Sequence, residues 1–123
     1  VTVAHRLLGP CADAARLYLV GTVGIGVKDD NRVPDLMLQR PQDAQPQWQQ
    51  TAALVVEIVS PGDETREKLS FYAAHKVDEL LIVDPQKQSV DWLALTGSSC
   101  EPTERSDLID LSAAELAQRI DWP

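Results

Sequence analysis

The sequence predicts a single α/β domain, on three observations from its middle third. Residues Ala53 to Val59 form a continuous apolar run rich in β-branched side chains and bounded by turn formers, the pattern of a buried central strand. Ser60, Pro61 and Asp63 follow in the order of a helix N-cap, a first-turn proline and a capping-box acid, and Leu69, Tyr72, Ala73 and Lys76 then recur at helical spacing. Glu79 to Asp84 is a second apolar strand.

The rest of the chain is consistent with one domain. Its 123 residues, 44% hydrophobic and 24% charged, are enough to bury a core. No apolar run approaches the length of a membrane span. The two cysteines, Cys11 and Cys100, are far apart and lack metal-ligand spacing, which predicts free thiols in a reducing compartment and hence the cytoplasm. A net charge of −8 argues against avid nonspecific binding to nucleic acid, and 5% aromatic residues are too few for a base-stacking platform. The chain begins with Val1, and the reading expects an upstream segment to have been removed.

Taken in order, Val3, Leu7 and Leu8 mark one face of a helix, which Gly9-Pro10 either kinks or divides in two. Leu17 to Val27 is a strand pattern broken by Gly21, Gly24 and Gly26, whose spacing is wrong for a dinucleotide site, and Lys28 to Asn31 reads as a hairpin turn. Val33 to Leu38 is a further strand with its proline near the start and Asp35 inside it. Arg40 to Thr51, with two prolines and five glutamines, reads as a loop or a flap. Ser89 to Leu95 pairs with Glu79 to Asp84 as a hairpin in which Trp92 packs, Glu101 to Asp107 is polar, and Ser112 to Glu115 caps a last helix running to about Ile120.

Glu57 puts a carboxylate in the middle of the apolar run. Period-two alternation sets Ala53, Val55, Glu57 and Val59 on one face and Leu54, Val56 and Ile58 on the other. Burying even an uncharged polar group without partners costs of order 2–7 kcal/mol, so Glu57 requires a cation, a metal or hydrogen-bond donors. Asp35 is a second acid in a neighbouring strand. Two adjacent carboxylates repel unless a cation sits between them, and a hard divalent ion such as Mg²⁺ suits such oxygens. Lys68, with Tyr72 four residues on along the same helix face, could then act on an attacking water or a phosphate.

These residues resemble a known family. Val-Pro-Asp at 33–35, Leu-Val-Val-Glu-Ile-Val-Ser-Pro at 54–61, Lys-x-x-x-Tyr at 68–72 and Leu-Ile-Val-Asp-Pro at 81–85 are similar, in order and over roughly Gly21 to Leu95, to the Uma-two branch of the PD-(D/E)XK nucleases. The resemblance implies a restriction-endonuclease-like α/β fold, a mixed central β-sheet flanked by helices, and an endonuclease that hydrolyses phosphodiester bonds of DNA with Mg²⁺ or Mn²⁺. It further implies that Asp35 and Glu57 hold the metal with the Ile58 carbonyl as a further ligand, and that Lys68 and Tyr72 complete the catalytic set. The lysine expected two residues after the glutamate is Val59, which points to Lys68 on the following helix. The glycine usual before Val77 is Lys76, and the loop between Ser60-Pro61 and Lys68 is short.

Structural readings stand beside each of these. Glu57 could be tied to an arginine or to backbone donors, Asp35 could serve a turn, Lys68 could pair with Glu64, and Tyr72 could be a core residue with its hydroxyl at the rim. The acidic charge and the displaced lysine favour a rival, a non-catalytic nuclease-fold module for binding or dimerisation. A homodimer is expected in either case, because so small a chain presents little groove of its own.

Overall fold

A computed structural model of the protein describes residues 2–20, 23–45, 48–60 and 65–122. Helix α1 (Thr2–Ala14) leads into β1 (Tyr18–Val20), a hairpin of β2 (Ile25–Val27) and β3 (Asp30–Arg32), and β4 (Leu36–Gln39). After a 3₁₀ turn (Pro41–Asp43) come β5 (Leu54–Ile58), α2 (Thr65–Ala74), β6 (Glu79–Asp84), β7 (Ser89–Thr96), β8 (Ser99–Thr103) and α3 (Ala113–Arg119). Six strands form a mixed sheet in the order β1-β4-β5-β6-β7-β8, with β2 and β3 as a separate two-stranded ribbon. Within the large sheet only β5 and β6 run parallel, joined by the crossover that contains α2. The expected α/β fold with a mixed central sheet is the fold observed.

The alternation of side chains builds two cores. Leu36, Leu38, Leu54, Val56, Leu81, Val83 and Trp92 pack with Leu8 and Ala12 of α1 and Leu116 of α3 on one face. The residues between them, Met37, Val55, Leu80 and Leu93, pack on the other face with Ile25 of β2, Tyr72 of α2 and Val77. Each central strand is therefore buried on both sides, which is why β5 and β6 read as continuous apolar runs.

Several segments differ from the sequence reading. Pro10 neither kinks α1 into separate elements nor ends it, and Thr2–Ala14 is one helix. Leu17 to Val27 holds two short strands instead of one, β1 in the large sheet and β2 in the ribbon. Asp35 does not lie inside a strand: β4 starts after it, at Leu36, and Asp35 is exposed at a bend. The polar stretch from Glu101 to Asp107 begins inside β8 (Ser99–Thr103), an edge strand whose mostly exposed residues give no apolar alternation and whose edge position tolerates Pro102. The glutamine-rich segment is not a free flap. Gln39 is fully buried and donates to Gln49 Oε1 at 3.1 Å and to the Thr51 carbonyl at 2.6 Å, and Gln49 donates to the Gln45 carbonyl at 2.9 Å.

Helix ends follow their caps. Ser112 accepts a bond from the Glu115 N–H at 3.0 Å and starts α3 as expected. The capping residues Pro61 and Asp63 expected for α2, and the Glu64 offered as a surface partner of Lys68, lie outside the described residues. At its other end α2 closes with Lys76 in the left-handed region, φ 60°, and the Val77 N–H bonded to the Tyr72 carbonyl at 3.1 Å. That conformation is the one for which glycine is favoured.

Candidate active site

The site forms where β5 ends and α2 turns back across it. The register of the β4–β5 ladder runs from Leu38 opposite Leu54 to Leu36 opposite Val56, and one further step would set Asp35 opposite Glu57. The ladder stops there because the Asp35 side chain takes over. Its Oδ2 accepts the Ile58 N–H at 2.7 Å, the donor that continued pairing would set against Pro34. Asp35 is thus anchored beside the end of β5 with its carboxylate open to solvent.

Glu57 is on the α2 face of the sheet, as alternation predicts, and its side chain is only 3% exposed. Two side chains from α2 meet its two oxygens. The Tyr72 hydroxyl donates to Oε1 at 2.5 Å, and the Lys68 ammonium lies 3.5 Å from Oε2. Lys68 and Tyr72 reach the same carboxylate because they are one helical turn apart on one face. The structure therefore brings together Glu57, Lys68 and Tyr72, with Asp35 and Ile58 at the adjoining strand end.

Burial pushes the Glu57 carboxyl above its ordinary value; the Tyr72 hydrogen bond and the Lys68 charge pull it back down, and the Asp35 charge adds to the rise. Tyr72 is pushed far up, first by its own burial and then by the Glu57 carboxylate. The Tyr72 hydroxyl is the donor that fixes Glu57 in orientation.

The donor set suits a hard cation. Asp35, Glu57 and the Ile58 carbonyl offer only oxygen, and Mg²⁺ is commonly held by one or two carboxylates with water and substrate phosphate filling the remaining positions. Each carboxylate oxygen has about two acceptor directions, so the contacts to Ile58 N–H, Tyr72 and Lys68 leave capacity on both acids. Among the described residues no three His, Cys, Asp or Glu side chains cluster, so any ion here would rest on two acids and main-chain or solvent oxygen.

Two features were not legible in the sequence. Glu79, read as the start of a strand, is a second buried carboxylate, 4% exposed. It accepts from Trp92 Nε1 at 2.9 Å, Ser106 Oγ at 2.5 Å, Asp107 N–H at 3.0 Å and Leu108 N–H at 3.4 Å. Its donors come from segments far along the chain, so no local signal marks it. The second is Arg32, whose guanidinium lies 4.8 Å from the centre of the Phe71 ring, next to Tyr72 on α2. It ends β3, a three-residue polar strand that carries no apolar periodicity.

A six-stranded mixed sheet with one parallel pair, flanked by helices and presenting an acid at the end of its central strand, is the architecture of restriction-endonuclease-like nucleases. The chain belongs to the Uma2 family, described as "Putative restriction endonuclease", whose profile matches residues 2–121. Among solved structures, it is similar to a "putative nuclease belonging to DUF820" from Anabaena variabilis, with 15% identity, a TM-score of 0.65, and coverage of 97% of this chain and 76% of the other. The type IIG restriction endonuclease BpuSI gives 15% identity and a TM-score of 0.53, covering 95% of this chain but 14% of that larger enzyme. No curated protein matches the chain. Among the described residues, no helix is long and apolar enough to cross a membrane.

Proposed function

We propose that the protein is a metal-dependent endonuclease acting on DNA, with Asp35, Glu57 and the Ile58 carbonyl holding Mg²⁺ or Mn²⁺. One observation carries the proposal: a buried glutamate at the end of the central strand faces a lysine and a tyrosine from the next helix, beside a second, solvent-facing acid. A cation there would offset both the burial of Glu57 and its repulsion with Asp35. When bound, the ion would supply a Lewis acid for the phosphate and a water of lowered pKa. Tyr72 is a positioning residue that holds the Glu57 carboxylate. Lys68 is placed to hold a water or to stabilise charge developing on a phosphate oxygen.

The displaced lysine of the sequence fits this reading. Two residues after Glu57 the chain has Val59, yet the Lys68 ammonium reaches Glu57 Oε2 from α2. The net charge of −8 favours the rival, a non-catalytic nuclease-fold module. Calorimetric titration of Mg²⁺ and Mn²⁺ into wild type and Glu57→Ala, followed by plasmid nicking, separates the two. Binding and nicking that both vanish in the variant are the expected result. A folded wild type that takes up neither ion leaves the module as the reading.

A further inference from the structure

Building on the nuclease reading, we propose that Arg32, held by the β2–β3 hairpin over the Phe71 ring, is a substrate-positioning residue. It would grip a DNA phosphate adjacent to the one at Glu57 and Lys68. The hairpin is docked onto α2 at close range. Gly26 has φ +119°, and a Cβ there would lie 2.3 Å from the Asp30 carbonyl oxygen and 3.2 Å from the Phe71 ring, so only glycine permits this approach. Phe71 is in turn stacked on the His75 ring at 4.2 Å and meets Tyr72 edge to face at 5.9 Å. A run of contacts therefore leads from Arg32 through Phe71 and Tyr72 to Glu57.

The guanidinium is held yet has donors to spare. Its side chain is 46% exposed, and among the described residues the carboxylate within 4 Å is that of Asp30, at 4.0 Å and itself 73% exposed. One terminal nitrogen donates to the Asn31 carbonyl at 2.8 Å, which leaves most of its five N–H groups for another acceptor. In a chain with 19 acids and 11 lysines and arginines, Lys68 stands at Glu57 and Arg32 over the Phe71 ring of the same helix. A planar fork fixed over an aromatic ring is suited to bidentate binding of phosphate, which a lysine would bind only as a point charge.

The test measures cleavage and binding of duplex DNA by the full chain as wild type, Arg32→Ala and Arg32→Lys. Arg32→Ala is expected to raise KM about tenfold with kcat within about twofold, and to make the slope of log affinity against log salt shallower by about one. Arg32→Lys should recover the salt slope but only part of KM. The melting temperature of Arg32→Lys, which keeps a cation over Phe71, should stay close to the wild-type value, so that its KM deficit is not a folding effect. A wild type that cuts DNA with KM and salt slope equal to those of Arg32→Ala overturns this proposal alone, as does a variant that loses kcat at unchanged KM. A wild type that neither binds nor cuts DNA overturns the nuclease reading and this proposal with it.

Discussion

Glu57 and Glu79 are buried to the same degree, 3% and 4% exposed, in adjacent parallel strands of one sheet. Their surroundings differ. Glu79 is enclosed by four neutral donors, two of them backbone N–H groups, which tie the segment after β8 to the core. Glu57 has a hydroxyl and an ammonium, both on the long side chains of one helix, and an exposed acid nearby that repels it. Burial alone does not mark a functional carboxylate. On the proposed reading, what marks it is burial whose cost the protein's own groups offset incompletely, so that a ligand would complete the compensation.

The largest effect expected is on the structural member of the pair. Glu79→Ala strands the Trp92 indole N–H, the Ser106 hydroxyl and two backbone donors, and should cost about 3–5 kcal/mol in denaturant unfolding. Metal affinity in whatever fraction stays folded should be unchanged. A loss below about 1 kcal/mol would erase the distinction drawn between the two acids.

Glu57→Gln should do the reverse. Metal binding and any cleavage should be lost, while stability at neutral pH should rise, by on the order of 1 kcal/mol, because the buried charge is gone and Tyr72 keeps an acceptor. The metal-free wild type gives the same contrast as a pH dependence. Burial raises the Glu57 carboxyl in the folded state, so between the ordinary carboxylate value and this raised one the folded protein binds more protons than the unfolded. The stabilising contribution of Glu57 is complete below the ordinary value and is lost as pH rises through the raised one. Unfolding midpoints followed across that range should fall with pH in wild type more than in Glu57→Gln.

Tyr72→Phe is a smaller perturbation, about 1 kcal/mol of stability for one lost hydrogen bond. Removing a donor to the carboxylate should push the Glu57 carboxyl further up and extend the window of pH-dependent stability to higher pH. Metal binding at neutral pH should weaken and recover as pH is raised, because proton and cation compete for the same oxygens. A calorimetric titration at two pH values checks this, and a weakening independent of pH would show that Tyr72 only packs.

How much of this was legible follows from where each signal resides. The two central strands and the face of Glu57 were readable because strands buried on both sides write a dense apolar run in which one acid stands out. Asp35 was misplaced by one residue, since its side chain, not its backbone, makes the last cross-strand bond to Ile58. β8 was missed because an exposed edge carries no periodicity. Glu79 and Arg32 were missed because their partners, Ser106 to Leu108 and Phe71, are brought to them by the fold and stand far away in the chain.

The smallest predicted effect concerns the turn that links the two carboxylates. Lys76 ends the helix that serves Glu57 and stands three residues before Glu79, in a left-handed conformation that costs a side-chain-bearing residue about 1 kcal/mol. Lys76→Gly should relieve it, less the added entropy of a glycine in the unfolded chain, for a net gain of a few tenths to about 1 kcal/mol. Because the substitution touches neither carboxylate, metal affinity measured by calorimetry should not move. If stability and affinity rise together, α2 is under strain that reaches Lys68 and Tyr72, and the two acids belong to one coupled unit. If stability alone rises, Glu79 and Glu57 are independent, as their separate donor sets imply.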